Sequence, residues 1–243
     1  MDTKKIKKML IISLGFLIFI LAVIIAVKKV DQRKIGNNEI QNINENQEAF
    51  SDYGTVIVDN LRGIDDNDVV LGDKKAPVDI VIYEDLSDSY SVKFNETLNE
   101  INENFGNNVA VAFRPYASKM YPLSMPTYSF VDCAKEQGKF FEARDLILSE
   151  VENKKLAEEN FVQYGQNLEL NTESLKVCLH KQKYIPEIEK LSKEGENFGV
   201  FGSPTIFVNN ELVIGARSFD DVENGNGEKL AGMKRIISKY ISK

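Results

Sequence analysis

The segment Tyr83-Glu-Asp-Leu-Ser-Asp-Ser-Tyr-Ser-Val-Lys-Phe94 decides the fold, because it joins a buried strand to an amphipathic helix. The apolar residues 78–82 just before it predict the strand, and apolar residues at helical spacing predict a helix over about residues 90–104. The first backbone N–H groups of a helix have no partners within it, and the helix dipole is positive there. Negative charge is therefore stabilised at such a junction, which makes it a natural place for a functional site.

Strand-like and helix-like stretches alternate from residue 77 onward. Residues 109–113 predict a second strand, so the chain forms a β-α-β unit with parallel strands and a right-handed crossover. Helical patterns follow at residues 127–150, 155–164, 172–181 and 185–197. The turn Asn209-Asn-Glu then joins two short strands, and a last helix is predicted over residues 228–241. The predicted order is β-α-β, a helical insertion at about residues 120–197, and β-β-α.

Composition and charge narrow the classes of function. The chain has 243 residues, of which 43% are apolar and 28% charged, which is enough for one sizeable domain and an appendage. The net charge is −7, although the first 34 residues are strongly basic, so the rest of the chain is acidic. Nucleic-acid binding needs a concentrated basic face, and we therefore expect no nucleic-acid partner.

The basic N-terminus flanks an apolar run over residues 9–27 that only Ser13 and Gly15 interrupt. Nineteen residues of helix span roughly 30 Å, the thickness of a bilayer core. A cleaved signal peptide would have a shorter apolar region, about 7–15 residues, and a small-x-small cleavage site. We therefore predict an uncleaved signal anchor: residues 1–29 form a cytoplasmic tail and one transmembrane helix, and the C-terminal domain lies outside the cytoplasm.

The residues after this anchor predict a polar tether over residues 30–67. They are rich in Asn, Gln and Glu and poor in large apolar side chains, so most of the segment cannot offset its own ordering entropy. A short strand is plausible at residues 55–59. The predicted globular domain then covers residues 68–243.

Three motifs in this domain resemble those of one family. They are Asp68-Val-Val-Leu-Gly-Asp-Lys-Lys-Ala-Pro-Val78, Cys133-Ala-Lys-Glu-Gln-Gly-Lys-Phe-Phe-Glu142 and Phe201-Gly-Ser-Pro-Thr-Ile-Phe-Val-Asn209. Together, and in this order, they resemble the DsbA-like thiol–disulfide oxidoreductases. That resemblance implies an α/β thioredoxin-like fold with an inserted helical domain, and an extracytoplasmic location.

The resemblance does not extend to the two active-site cysteines that carry out disulfide exchange in the family. Matched residue by residue, Asp88 and Ser91 occupy the positions of the two active-site cysteines, and Pro204 matches the family's cis-proline. Disulfide exchange needs a thiolate and a second sulfur, which aspartate and serine do not supply. A hydrolase based on Ser91 would need an activating base, but the only histidine, His180, is far along the insertion. We therefore expect no catalytic residue here, and Asp88 is predicted to cap the helix.

A binding role does not require the cysteines. The resemblance implies that the backbone beside the cis-proline can pair with an extended polypeptide, in the manner of strand addition. The resemblance places the groove at Ser89, Tyr90, Ser203, Pro204 and Thr205. Additional aromatic surface is expected from Tyr83, Tyr116 and Tyr121. The first hypothesis is thus a membrane-anchored, redox-inactive module of a bacterial-type cell envelope that binds a polypeptide or an envelope protein.

The two remaining cysteines, Cys133 and Cys178, lie 45 residues apart in the insertion. Outside the cytoplasm such a pair predicts a structural disulfide. Two buried free thiols are an alternative. A relocated redox centre at this pair is the second functional hypothesis, that of a thiol–disulfide oxidoreductase. The nearby His180 matches no common zinc spacing, so we predict neither a metal site nor a cofactor.

Overall fold

The computed structural model describes residues 56–223 and 225–241. The predicted signal anchor and most of the predicted tether lie outside the described residues. Within the described ranges, no helix is both long enough and apolar enough to cross a membrane.

A mixed six-stranded sheet forms the centre of the domain. Its strands are β1 (Val56–Ile57), β2 (Val69–Gly72), β3 (Val78–Glu84), β4 (Val109–Pro115), β5 (Thr205–Val208) and β6 (Glu211–Ile214). Their order across the sheet is β1-β6-β5-β3-β4-β2. The pair β3 and β4 is parallel, and every other neighbouring pair is antiparallel. This is the predicted β-α-β and β-β-α arrangement of a thioredoxin-like fold.

Seven α-helices and a small hairpin complete the described chain. The helices are α1 (Ser89–Phe105), α2 (Ser124–Lys135), α3 (Phe140–Glu152), α4 (Phe161–Asn167), α5 (Thr172–His180), α6 (Ile185–Asn197) and α7 (Met233–Ile241). The hairpin pairs β7 (Val222–Glu223) with β8 (Lys229–Leu230). Helix α1 connects β3 to β4, and α2–α6 form the insertion between β4 and β5.

Three predicted helices differ from the observed ones. The helix predicted over residues 127–150 is two helices, because Gly138 adopts a φ of 75°, which favours glycine and ends α2. The helix predicted from residue 155 begins later, with a 3₁₀ turn at Glu158–Asn160 before α4. The last helix begins at residue 233 rather than 228, because β8 is paired with β7. Gly232 precedes it, and a Cβ there would lie 2.3 Å from the carbonyl oxygen of Phe219.

Side chains of β3 alternate between the two faces of the sheet, as a strand requires. Ile80 and Ile82 are fully buried in the main core, which also contains Phe94 of α1. Tyr83 points to the opposite face, where its ring contacts Phe207 edge to face with centroids 6.0 Å apart. Helix α6 covers this second face, since the Tyr83 hydroxyl donates to Glu194 at 2.7 Å. Both faces of β3 are therefore buried.

The segment before β2 is part of the folded domain. Arg114, fully buried, donates two hydrogen bonds to Asp68 at 2.9 and 2.8 Å. The same guanidinium donates to the carbonyl oxygens of Arg62 at 2.9 Å and Gly63 at 2.8 Å. Strand β1 adds to the edge of the sheet beside β6. The structure thus places residues 56–67 with the domain rather than with the predicted tether, because buried polar and strand contacts offset their ordering entropy.

The predicted disulfide between Cys133 and Cys178 is confirmed. Their sulfurs are bonded at 2.03 Å, so the alternative of two free thiols is wrong. The bridge joins α2 to α5 inside the insertion. Cys133 is only 2% exposed and Cys178 7% exposed, so both sulfurs are part of the core.

Candidate binding site

Asp85 organises the loop between β3 and α1. One carboxylate oxygen accepts hydrogen bonds from the Ser87 N–H at 2.9 Å and the Ser87 hydroxyl at 2.7 Å. The other accepts from the Ser118 N–H at 3.1 Å and from the Ser124 hydroxyl. Asp85 is fully buried, and these four donors occupy both of its oxygens. The loop after β3 is thereby held to the start of the helical insertion.

Asp88 caps helix α1, as predicted. Its backbone is extended, and its Oδ1 accepts a hydrogen bond from the Tyr90 N–H at 3.0 Å. The side chain is only 4% exposed, and its Oδ2 makes no hydrogen bond to a described residue. Burial raises the pKa of Asp88, the Tyr90 N–H opposes that change, and the negative charge of Asp85 adds to it. The fold therefore holds this carboxylate in a setting that disfavours its charge.

Ser91, one turn along the helix, faces the cis-proline loop. The Ser203–Pro204 peptide bond is cis, at the position that the resemblance indicates. The Ser91 and Ser203 hydroxyl oxygens lie 2.9 Å apart, and the Ser203 oxygen also accepts from the Asp85 N–H at 2.7 Å. Ser91 is fully buried, and its hydroxyl partner is another hydroxyl rather than a base. The arrangement joins the loop to the helix and provides no activation of a serine nucleophile.

Exposed apolar side chains lie around this junction. Tyr90 and Tyr121 are exposed, as are Met120 and Phe201, and Phe201 is 84% exposed. The negative charge of Asp88 is the main cause of the raised pKa of Tyr121. Of the predicted groove residues, Ser89 and Tyr90 are exposed, Ser203 is half-buried, and Pro204 and Thr205 are buried. We call these four side chains the aromatic rim: the rings of Tyr90, Tyr121 and Phe201 together with the aliphatic side chain of Met120.

Two of the four predicted tyrosines do not belong to the rim. Tyr83 is fully buried on the α6 face of the sheet, because position 83 of β3 points away from α1. Tyr116 is half-buried and packs against the same cluster. Conversely, Phe201 and Met120 were not predicted. A large apolar side chain directly before the Gly-Ser-Pro turn is the sequence signal that indicates Phe201.

A buried ion pair lies behind the loop. Arg144 of α3 donates to both oxygens of Glu84 at 2.8 Å and to the Asn95 side chain at 2.7 Å. Its guanidinium also lies 4.7 Å from the centre of the Phe113 ring. Both charged groups are at least 98% buried. The pair links the insertion to the end of β3 and to α1, and so it fixes the orientation of the helix that carries Asp88.

Two further features of the described part of the chain bear on its function, a cavity and the possibility of a metal site. A cavity of about 440 Å³ lies between residues 62–68 and α6. Its charged side chains already pair, since Arg62 contacts Asp68 at 3.2 Å and Glu194 at 3.1 Å. Among the described residues, no group of three His, Cys, Asp or Glu side chains could hold a metal ion.

Solved structures with a similar fold include DsbA-type proteins. The chain aligns with BdbD from Bacillus subtilis with a TM-score of 0.58 and 19% identity, covering 72% of this chain and 92% of that one. It aligns with α-DsbA1 from Wolbachia pipientis with a TM-score of 0.57 and 17% identity, covering 73% and 92%. For DsbA from Chlamydia trachomatis the TM-score is 0.57, the identity 17% and the coverage 84% and 98%. At these identities the likeness establishes the fold.

Curated relatives match over a smaller share of their length. The chain is 25% identical over 154 residues to the Na⁺/H⁺ antiporter NhaA 3 of Salinispora tropica, and covers 23% of it. It is 24% identical over 179 residues to NhaA 1 of Salinispora arenicola, and covers 27% of it. The chain thus spans only a minor part of these antiporters.

A profile of the family described as thioredoxin matches residues 65–224, which include β2–β6, the junction and the cis-proline loop. The matched segment is more than half of the chain. The chain therefore belongs to the thioredoxin family, with the fold of the DsbA-type thiol–disulfide oxidoreductases.

Proposed function

We propose that this chain is a polypeptide-binding module of the cell envelope that does not exchange disulfides at the thioredoxin junction. One observation carries the proposal: the Ser203–Pro204 bond is cis and its loop contacts Ser91, while Asp88 and Ser91, which match the family's two cysteine positions in sequence, carry oxygens. A carboxylate and a buried hydroxyl cannot pass through the thiol and disulfide states of an oxidoreductase. The remaining capability of such a junction is binding.

The backbone next to Pro204 supports binding by strand addition. Among the described residues, the N–H and C=O of Ser203 make no backbone hydrogen bond. An extended polypeptide could pair with both groups, as in other cases of strand addition to an exposed backbone. The loop is held in place from behind, because the Ser203 hydroxyl contacts both Ser91 and Asp85. A preorganised backbone loses little entropy on binding.

The aromatic rim supports the same function. Exposed aromatic side chains that lie together on a soluble domain mark interaction surfaces, and aromatic anchors dominate binding energies. Tyr90 directly precedes Ser91 in the chain, and Phe201 lies two residues before Ser203, whose hydroxyl is 2.9 Å from that of Ser91. A bound polypeptide would thus pair with the loop and bury its side chains against these rings.

The location is part of the proposal. The basic, apolar N-terminus would hold the domain outside the cytoplasm, where its partner would be an extracytoplasmic polypeptide or an envelope protein. Sodium carbonate extraction of cell membranes tests this placement. The full-length chain should stay in the membrane pellet, and a chain without residues 1–34 should be released. Release of the full-length chain would contradict the anchor.

The binding function is tested with the full-length protein and a labelled, reduced and alkylated insulin B chain, which is extended and has no free thiol. Fluorescence anisotropy should show saturable binding. Phe201→Ala should weaken it by about tenfold, the loss of one aromatic anchor. Val177→Ala removes an exposed apolar side chain from α5 and serves as the matched control, with no expected effect. Absence of binding, or equal effects of the two substitutions, would contradict the proposal.

Disulfide exchange by Cys133 and Cys178 is the second candidate. The observation in its favour is that the two cysteines do form a disulfide. Their burial argues against it, because an attacking thiolate must reach the bridge. An insulin-reduction assay separates the two functions. Turnover by the full-length chain that Cys133→Ser abolishes would establish the oxidoreductase and exclude a redox-inactive module.

A further inference from the structure

Asp88 is a buried carboxylate without a cationic partner among the described residues. Its Oδ1 accepts a hydrogen bond from the Tyr90 N–H. Its Oδ2 makes no hydrogen bond to a described residue and is not fully buried. Asp85, the nearby acidic group that acts on it, is itself saturated by donors from serines rather than by a lysine or arginine. The junction thus contains two acidic side chains, and no Lys or Arg of the described residues forms an ion pair with either of them. Oδ2 can therefore be reached by a ligand, and a bound cation would offset the cost of holding a charged side chain in this largely buried position.

The rim around Asp88 provides the other half of a cation site. Tyr90 follows the cap by two residues and is 59% exposed. Tyr121 lies in the chain between Ser118 and Ser124, which both donate hydrogen bonds to Asp85, three residues before Asp88. Aromatic faces attract ammonium and guanidinium groups, and a carboxylate forms its strongest hydrogen bonds with the same groups. A carboxylate set among exposed rings is therefore suited to a positively charged organic side chain.

Other occupants fit this position less well. A metal ion would need several oxygen ligands, but Asp85 has none to spare and Asp88 has one. An anion would be repelled by both carboxylates, and the cap already occupies the positive end of the helix. A single monovalent cation with hydrogen-bond donors matches what is left.

We propose that Asp88 binds a lysine or arginine side chain of the polypeptide that pairs with the cis-Pro204 loop. This inference rests on the proposed function and adds the substrate class: an extended segment with a positive residue opposite the junction. Asp88, which matches a cysteine position of the resembled family, would thus determine which side chain the site accepts. The aromatic rim contacts the stem and the charged head, and Asp88 selects the charge.

The test uses blocked, fluorescently labelled peptides of one uncharged sequence in which only the central residue differs. Lysine, arginine, norleucine and glutamate are compared with the full-length protein by anisotropy at low ionic strength. Norleucine has the aliphatic stem of lysine without the charge, so it isolates the contribution of Asp88. The lysine and arginine peptides should bind about tenfold more tightly than norleucine, and glutamate more weakly than norleucine.

Two variants of equal charge change make the result specific. Asp88→Asn keeps an oxygen for the Tyr90 N–H and removes the charge, so the lysine-to-norleucine affinity ratio should fall to about one. Glu103→Gln removes an exposed acid at the far end of α1 and should leave the ratio as it is. A loss of the ratio in both variants would show only long-range attraction and would overturn the inference.

The remaining outcomes distinguish the cation site at Asp88 from the polypeptide-binding function on which it rests. Equal binding of the lysine and norleucine peptides overturns the cation site and leaves the polypeptide-binding function standing. Binding of none of the peptides, with the insulin chain also unbound, overturns both. Tighter binding of the glutamate peptide would reverse the assigned charge preference and overturn the inference.

Discussion

Asp88 is the residue at which stability and function are opposed. As an N-cap it accepts the Tyr90 N–H, an interaction that stabilises a helix by about 1 kcal/mol. Yet burial and the neighbouring Asp85 both raise its pKa, so the folded state disfavours the charged form. Asparagine would cap equally well without the charge. The proposed cation site would give the Asp88 carboxylate a role that asparagine could not fill.

Replacing Asp88 by asparagine should stabilise the free protein at neutral pH. The pKa of Asp88 in the folded state lies above the unfolded value of about 3.9. Between these two pKa values the folded state binds more protons than the unfolded state, so the stability of the protein falls as the pH rises through this range. Above the folded pKa the loss of stability is complete, and below the unfolded pKa the carboxyl group is protonated in both states. Asp88→Asn should thus raise the free energy of unfolding at pH 7, and the difference should vanish as the pH falls below the unfolded pKa of about 3.9.

Urea denaturation at pH 7 and pH 3.5 measures both differences. Asp88→Ala is the matched control, because it removes the charge and the cap together and should be less stable than the asparagine variant by about 1 kcal/mol. An asparagine variant less stable than wild type at pH 7 would show that the folded protein already neutralises this carboxylate.

At the scale of the elements, local signals predicted most of the order but not the long-range contacts. The bounds of α6 were predicted to the residue, and those of α1 to within one residue at each end. The break at Gly138 was missed because apolar periodicity continues across it. The hairpin before α7 was missed because two-residue strands carry too little pattern. No periodicity could pair Glu84 with Arg144, 60 residues apart, or tell which strand face carries Tyr83.

The bridge between α2 and α5 should stabilise the insertion without contributing to binding. Replacing Cys133 and Cys178 by alanine together opens a loop of 45 residues, which costs about 4 kcal/mol on the chain-entropy model. Alanine avoids burying a new hydroxyl where sulfur now packs. Urea denaturation with and without reductant should show the loss in wild type and none in the double variant. Insulin-chain affinity should be unchanged while the variant is folded. A double variant as stable as the oxidised wild type would contradict the structural role.

At the scale of the whole molecule, the chain has the fold of the DsbA-type thiol–disulfide oxidoreductases. The residues that match the two active-site cysteines in sequence are Asp88 and Ser91, whose side chains end in oxygen. The cis-Pro204 loop faces the first turn of α1, and the loop from β3 is fixed by the hydrogen bonds of Asp85. The Glu84–Arg144 pair holds the insertion against the same loop. None of these contacts depends on the identity of the side chains at positions 88 and 91 beyond the cap and one hydroxyl contact. The scaffold and the chemistry are thus separable in this protein.

Restoring both sulfurs should therefore restore redox chemistry. In the double variant Asp88→Cys/Ser91→Cys the helix N-terminus would stabilise a thiolate at position 88, and position 91 would supply the second sulfur. Insulin reduction with excess dithiothreitol should proceed at least about tenfold faster than with the wild-type chain, since exchange needs a low-pKa thiol and a resolving partner. The single Ser91→Cys variant is the control, because its lone, buried sulfur should give no turnover. A folded double variant with two titratable thiols and no turnover would show that the junction has lost more than its sulfurs.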